Sequence, residues 1–543
     1  MDTTNSSSSS DPNSGFCSIT KTFHSLRPPL LLPPEASPLS AASYALSLQQ
    51  CPDSTAAAFI ESATGRRLTF SEFRTRVISL ASSLQHTFRF SKNDVAFILS
   101  PNATHVPVLY FALLSLGVIV SPANPMSTES ELFKQIKLTN PVIAFATSRN
   151  FQKLPKLKHG TVLIDLPEFE SMMTNTELKF EPVEVNQSDL AAIMYSSGTT
   201  GEVKGVKLSH RNFIAIIANF YAQRQERTSP VPVMLYTVPL FHVFGLHYAL
   251  KSVALSETVV VMERFDLRKM LNAVEEFKVT QLVVAPPVVV AMAKGSVTSG
   301  YDLSSLVAVG SGGAPLGKDV IQAFSYKFPN TILFQGYGLT ETSGAAFRAA
   351  TTEEMLRGDS VGRLIANTEA KIVDPETGIA LPPGEQGELW IKGPTIMQGY
   401  VGDPKTTSET LVPGGWLRTG DLCYIDHHGY LFVVDRLKEL IKYKGYQVAP
   451  AELEQLLLSH PDIVDAAVIP YPDEEAGQVP MAFVVRRTQS SPDKEQVIDF
   501  ISKQVAPYKK IRRVAFISSI PKNPSGKILR KELRGIHIPE SKL

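Results

Sequence analysis

The chain runs to 543 residues, 43% hydrophobic and 19% charged, a soluble composition too long for one hydrophobic core, so two or more domains are expected. A formal net charge of +1 excludes a global pull toward nucleic acid or anionic membrane, and no apolar run reaches the length of a transmembrane helix. Cys17, Cys51 and Cys423 are odd in number and far apart, which excludes a disulfide framework and fits a reducing compartment.

The Ser-rich opening, with Asp2 and Asp11, predicts disorder over residues 1–20. A plastid transit peptide is disfavoured, since the first arginine is Arg27. From about residue 55 to 435, short apolar runs at 95–99, 162–164, 259–262, 282–284 and 332–334 alternate with longer amphipathic stretches. That alternation predicts α/β layers around buried, mostly parallel strands. The stretch 106–120 contains Pro107, Ser115 and Gly117 and reads as a buried core helix. From Gly384 to Tyr430 the texture turns Gly-rich and alternating, as at 387–391, predicting a small β-rich subdomain. After Asp435-Arg436, Pro450 marks a helix start with Leu453, Leu456 and Leu457 on one face. Strand-like runs at 466–469 and 482–485 follow, then a helix turning Val497, Ile498, Ile501 and Val505 inward. The expected fold is α/β: a large N-terminal domain over 21–436 with α/β layers and the β-rich subdomain, then a small α+β lid over 437–543.

The segment Ser196-Ser197-Gly198-Thr199-Thr200-Gly201-Glu202-Val203-Lys204-Gly205 follows a buried strand at 191–195. Its glycines let the backbone approach an anion closely, its hydroxyls add donors, and Lys204 adds a mobile charge for terminal phosphates. The spacing is not that of the Walker loop, so the segment points to a nucleotide-triphosphate user of another lineage. Residues 503–534 hold ten Lys/Arg and one acid, Glu532, most of which read as a solvated face.

Together with five further motifs in order, this segment resembles the adenylate-forming superfamily of acyl-CoA synthetases, peptide-synthetase adenylation domains and beetle luciferases. Within it the chain is most similar to plant 4-coumarate–CoA ligases and their peroxisomal ligase-like relatives, from about residue 20 to the end. The resemblance makes Ser196, Ser197, Gly198, Thr199, Thr200 and Lys204 the phosphate loop, and gives His242 of Pro239-Leu240-Phe241-His242 to the acid pocket. It lays the adenine and acyl group along Gly312 and Gly313 of Ser311-Gly312-Gly313-Ala314-Pro315-Leu316. In Gln335-Gly336-Tyr337-Gly338-Leu339-Thr340-Glu341 it implies that Gln335, Gly336, Tyr337 and Thr340 bind the nucleotide, and that Glu341 helps hold Mg²⁺. An oxygen ligand set suits such a hard cation. Asp421 and Arg436 correspond to the ribose clamp, 435–442 to the hinge, and Lys438 and Gln447 to further nucleotide contacts. Lys527 of Pro524-Ser525-Gly526-Lys527 corresponds to the catalytic lysine, with His242 and Lys442 also assigned to catalysis; Arg264, Lys444 and Gly445 are assigned to CoA.

The implied chemistry is adenylation of a small carboxylic acid by MgATP, then transfer to CoA as co-substrate, with the lid rotating between the two steps. The acid pocket departs from the hydroxycinnamate pattern: Phe244 replaces a common Tyr, Tyr248 a common Ser, and Gly344-Ala345 follow Thr342-Ser343. Loss of that phenol favours a fatty or jasmonate-precursor acid, or a less substituted cinnamate. A luciferase-like or carrier-dependent adenylating enzyme, or an inactive nucleotide-binding homologue, are the alternatives. The terminal Ser541-Lys542-Leu543 is the address read by the peroxisomal import receptor, which predicts a peroxisomal protein.

Overall fold

The computed structural model describes residues 10–49, 55–197, 203–224, 231–444, 446–487, 490, 492–523 and 526–536. Gly198, Thr199, Thr200, Gly445, Pro524, Ser525, Cys51 and Ser541-Lys542-Leu543 lie outside the described residues, as does the side chain of Ser197.

Two sheets dominate the first four hundred or so residues. A nine-stranded sheet orders Arg363–Leu364, Phe347–Arg348, Ile332–Tyr337, Ala308–Ser311, Gln281–Val284, Val233–Tyr236, Thr258–Val261, Ala57–Glu61 and Arg67–Thr69. It is parallel from Ile332–Tyr337 to Ala57–Glu61. A seven-stranded sheet orders Gly399–Tyr400, Val203–Ser209, Leu190–Ser197, Ile119–Pro122, Val95–Leu99, Ile143–Ala146 and Thr161–Leu163, parallel from Leu190–Ser197 onward. The helices Phe70–Phe88, His105–Ser115, His210–Ala222 and Val243–Leu255 pack between them: Phe73, Phe111, Phe213 and Leu246 share one core with Phe59 and Val259 of one sheet and Val120 and Phe145 of the other. Helices Leu267–Phe277, Pro286–Lys294 and Lys318–Lys327 cover the far face of the larger sheet, and Glu129–Thr139 that of the smaller. Strands covered on both faces read as unbroken apolar runs, which is why the pattern was visible.

Two expectations change. The stretch 106–120 is not one helix: it ends as a helix at Ser115, turns at Gly117 with φ +67, and continues as the strand Ile119–Pro122. Glycine in the left-handed region stops a helix at little steric cost. Residues 10–20, expected to be disordered, are built into the β-rich subdomain instead. Phe16–Cys17 and Thr22–His24 form the edge of an antiparallel sheet with Glu369–Val373, Gly387–Lys392, Trp416–Ile425, Leu411–Val412 and Leu431–Arg436. Phe16 and Phe23 bury against Ile372, Leu389 and Cys423, an apolar gain that the Ser-rich composition concealed.

From Ile441 onward the chain builds its own five-stranded sheet, with Tyr446–Val448, Ile441–Tyr443, Gly477–Arg486 and Ile463–Asp473 in order and Arg513–Phe516 beside Gly477–Arg486. Helices Pro450–Ser459 and Lys494–Ser502 bury Leu453, Leu457, Val497 and Ile501 on it; Leu456, Ile498 and Val505 are only partly buried. Among the described residues no helix is long and apolar enough to cross a membrane.

Candidate active site

The parallel strands of the nine-stranded sheet end side by side at Tyr236, Val284, Ser311 and Tyr337, and the sequence motifs occupy the loops that follow. Carboxyl ends of such strands are where open α/β sheets bind ligands. Past Tyr337 the chain doubles back so tightly that a Cβ on Gly338 would lie 2.0 Å from the Gly344 carbonyl oxygen. Leu339 closes the turn, its N–H donating to Thr342 Oγ1 at 2.8 Å and its carbonyl accepting from Gly344 N at 3.0 Å. The short 3₁₀ turn Thr340–Thr342 then presents Glu341.

Glu341 Oε1 accepts from Ser196 Oγ at 3.2 Å and from the Tyr400 hydroxyl at 3.0 Å. Ser196 and Lys204 stand opposite one another on the antiparallel strands flanking the phosphate-loop segment, and Lys204 Nζ lies 4.8 Å from the centre of the Tyr400 ring. One carboxylate among hydroxyls is an oxygen donor set suited to Mg²⁺, which is typically held by one or two carboxylates plus substrate phosphates.

A second cluster adjoins it. The Tyr337 hydroxyl donates to Asp421 Oδ2 at 2.6 Å, and Arg436 Nε lies 3.1 Å from Asp421 Oδ1. Asp421 and Arg436 face each other on paired strands, so the sheet register itself sets this contact. Burial drives the Tyr337 phenol well above its ordinary value, and the Asp421 charge pushes the same way. Two lysines close the cluster. Burial holds Lys527 down to about 8, helped by the charges of Arg436 and Lys438, and burial likewise lowers Lys438 to about 8. Lys527 arrives on the turn Asn523–Lys527, whose ends are tied by Lys527 N to Asn523 Oδ1 and Asn523 N to Lys527 O, each at 2.9 Å. Gly526, at φ +84, sits so close to the loop after strand Gln281–Val284 that a Cβ there would lie 2.6 Å from Ala285 Cβ. The C-terminal portion is further held by Lys294 Nζ donating to Leu458 O and by Gly317 against Gln455.

The acid side lies at the start of helix Val243–Leu255. His242 caps it, accepting from Phe244 N at 3.4 Å, and its ring stacks on Phe244 at 5.6 Å with planes 3° apart. Burial lowers His242 to about 4, so the ring is neutral at physiological pH. Phe244 and Tyr248, with Tyr236, Val238 and Val283, border a small void of about 10 Å³, room for little more than one water. Gly313 at φ +87 and Gly344 at φ +106 supply turns that other residues strain to adopt. Ala345 is buried in the main core.

Gln335 accepts from Leu316 N at 3.0 Å and donates to Gly358 O at 2.7 Å, thereby positioning the segment after Gly312 and Gly313. Gly312 itself lies over Gly336, whose carbonyl is 3.5 Å from where a Cβ would sit. Lys442, Lys444 and Gln447 face solvent on the lid; Lys442 and Gln447 are strand partners, and Lys444 pairs with Glu475. Arg264 is also exposed, 3.8 Å from Met126 Sδ. Sequence reasoning missed Tyr400, which joins Glu341 to Lys204 from a strand two hundred residues beyond Lys204; its only local signal is the Gly399-Tyr400 pair.

A model of AMP-binding enzymes matches residues 45–401, and one of the AMP-binding enzyme C-terminal domain matches residues 452–527. The chain is 53% identical to 4-coumarate–CoA ligase-like 9 of Arabidopsis thaliana over 98% of each chain. It is 47% identical to peroxisomal OPC-8:0-CoA ligase 1 of the same plant, covering 98% of this chain and 99% of that relative. Among solved structures, ATP-bound MatB from Rhodopseudomonas palustris is similar at TM-score 0.82 and 26% identity, over 92% of this chain and 99% of that one; apo MatB aligns at 0.73.

Proposed function

Because the chain belongs to the AMP-binding enzyme family, within its ATP-dependent acid–CoA ligases, we propose that it activates a carboxylic acid as an acyl-adenylate and passes the acyl group to CoA. In the first step a carboxylate oxygen attacks the α-phosphorus of ATP, the bond to the β-phosphate breaks, and pyrophosphate leaves. Two anions must meet, so held geometry and concentrated positive charge matter more than a strong base. Lys527 and Lys204 supply that charge, with Arg436 and Asp421 on the ribose and Tyr337 at the adenine. Glu341 would hold the Mg²⁺ that travels with ATP, which neutralises phosphate charge. In the second step the CoA sulfur attacks the acyl carbonyl carbon, the bond to AMP breaks, AMP leaves with the electron pair, and the thiol proton passes to solvent.

The observation that carries this reading is the two-faced lid. Lys527 is turned into the cleft beside Arg436 and Lys438, while Lys442, Lys444 and Gln447 face outward from the same lid. A lid hinged after Arg436 that rotates about a fixed adenylate exchanges one set for the other, delivering Lys442, Gln447 and the CoA contacts Lys444 and Gly445 to the second step, where Arg264 of the stationary N-terminal domain is the remaining CoA contact. The acid pocket, with Phe244 and Tyr248 for walls and no phenol at position 244, supports a fatty or jasmonate-precursor acid, or a lightly substituted cinnamate, and the name of the OPC-8:0-CoA ligase relative accords with the first two. The same relative's name and the terminal Ser541-Lys542-Leu543 support peroxisomal residence through the import receptor.

The test is acid-dependent exchange of labelled pyrophosphate into ATP, then CoA thioester formation, across cinnamates, medium-chain acids and cyclopentanone acids. Exchange with at least one acid and a matching thioester are expected. Absence of exchange with every acid overturns the reading, and exchange without thioester overturns the CoA step.

A further inference from the structure

The turn that carries Lys527 belongs to a small hairpin braced at both feet. Leu529 N donates to Pro521 O and Asn523 N to Lys527 O, each at 2.9 Å, and Lys522 pairs with Ile528 as an antiparallel bridge. Ile520 before the hairpin and Leu533 after it bury against Ala467, Ile469 and Phe483 on one face of the lid sheet. Each foot also carries a cation held by an acid of the lid. Lys522 Nζ lies 2.8 and 2.6 Å from the two oxygens of Asp465, on strand Ile463–Asp473. Arg530 Nη2 donates to Glu454 Oε1 at 2.6 Å, on helix Pro450–Ser459. Lys527 makes no such pair among the described residues.

The Arg530 foot is also tied to the backbone. Among the described residues Ile463–Asp473 pairs only with Gly477–Arg486, so its other side is an open sheet edge. At Val468 both backbone groups of that edge are answered: Glu454 Oε1 accepts from Val468 N at 2.8 Å, and Arg530 Nε donates to Val468 O at 3.2 Å. A planar guanidinium that meets a carboxylate and a carbonyl at once is fixed in orientation, which an ammonium on a flexible stem is not. The acids serve charge as well as geometry. Arg436 and Lys438 add to burial in lowering Lys527, and two uncompensated cations at the feet would add to that repulsion. All four bracing residues lie within the lid, so the brace turns with it, whereas the contact of Gly526 with Ala285 reaches across to the larger domain. Held geometry is what adenylation needs, since a displacement of about 1 Å can cost about 100-fold.

We propose that Arg530 with Glu454, and Lys522 with Asp465, are positioning residues that hold the Lys527 hairpin as a rigid finger on the lid, and so serve adenylate formation and not thioester formation. This rests on the acid–CoA ligase reading and on the role given there to Lys527. The four residues act through the placement of that one ammonium, so their loss is felt only in the half-reaction that uses it.

The experiment measures pyrophosphate exchange, conversion of added acyl-adenylate to thioester, and melting temperature in the parent and in variants. Arg530→Lys keeps the charge but loses the fork. Its exchange is expected to fall by about 10- to 100-fold, in kcat rather than in KM for ATP, with thioester formation within about twofold of the parent. Lys522→Gln and Asp465→Asn fall at a pair whose side chains are 18% and 28% exposed, and the melting temperature should stay near the parent's. Each should cost about three- to tenfold in exchange, and the double variant should fall no further than either single, since both remove the same brace. Parent-like exchange in Arg530→Lys, losses that multiply in the double variant, or equal loss in both half-reactions overturns the inference. If Arg530→Lys does not fold, the Lys522 and Asp465 variants decide the matter by the same split. A parent without exchange on any acid overturns the ligase reading as well, whereas an active parent whose variants show no split overturns this inference alone.

Discussion

Replacing Lys527 with alanine separates the two half-reactions. The ammonium is held to about 8 against an ordinary 10.5, first by burial and then by Arg436 and Lys438. That gap corresponds to about 3 kcal/mol by which the cleft disfavours the positive charge on its own. A bound triphosphate reverses the sign, because its oxygens supply the anions that the cationic cluster lacks. Removing one such preorganised charge costs about 100- to 1,000-fold in the step it serves. Lys527→Ala should therefore cut acid-dependent pyrophosphate exchange by that factor, yet leave conversion of added acyl-adenylate to thioester close to the parent rate. The pH dependence follows from the same displacement. The charged form is the working one, so kcat/KM for ATP is sustained below pH 8 and falls as pH rises through about 8. Lys438 is lowered to the same range, so Lys527→Arg, which keeps its charge, is needed to assign the limb. Its slower reaction should lose that alkaline fall. If both half-reactions drop equally in Lys527→Ala, or the parent profile stays flat through pH 8, the role given to Lys527 is wrong.

Gly526→Ala introduces a Cβ 2.6 Å from Ala285 Cβ at a residue with φ +84, so pyrophosphate exchange should fall by about tenfold from backbone strain and contact together. Ala285→Gly in the same chain should restore part of it, which intrinsic strain alone does not allow. Glu341→Gln keeps the shape but removes the carboxylate's charge, and should raise the Mg²⁺ concentration needed for half-maximal exchange while the melting temperature holds steady. Phe244→Tyr adds a phenol to the acid pocket, and should raise kcat/KM for 4-hydroxycinnamate relative to cinnamate by about two- to tenfold, the value of one hydrogen bond.

The apolar run at 282–284 was legible because it needs only two covered faces, whereas Asp421, Arg436 and Lys527 were legible only through the resemblance to a known family, since a Gly-Asp pair or a basic run reads by itself as a turn or a solvated face; the structure adds that Asp421 and Arg436 face each other on paired strands. The ordered start at Phe16–Cys17 was hidden because the hairpin it forms with Thr22–His24 joins a sheet through Glu369–Val373, over three hundred residues away, and serine content reports solvation rather than the sheet edge it joins. Other features answered only to tertiary packing. Tyr400 reaches Glu341 and Lys204 across two sheet edges, Gln335 spends its amide on Leu316 and Gly358, and the orientation of the lid decides that Lys527 rather than Lys442 meets Asp421. His247 is the sharpest case. A sequence reports an imidazole on an apolar helix face, but only the enclosing walls reveal that no group among the described residues answers its nitrogens, because hydrogen-bond satisfaction depends on every group that folding brings within reach.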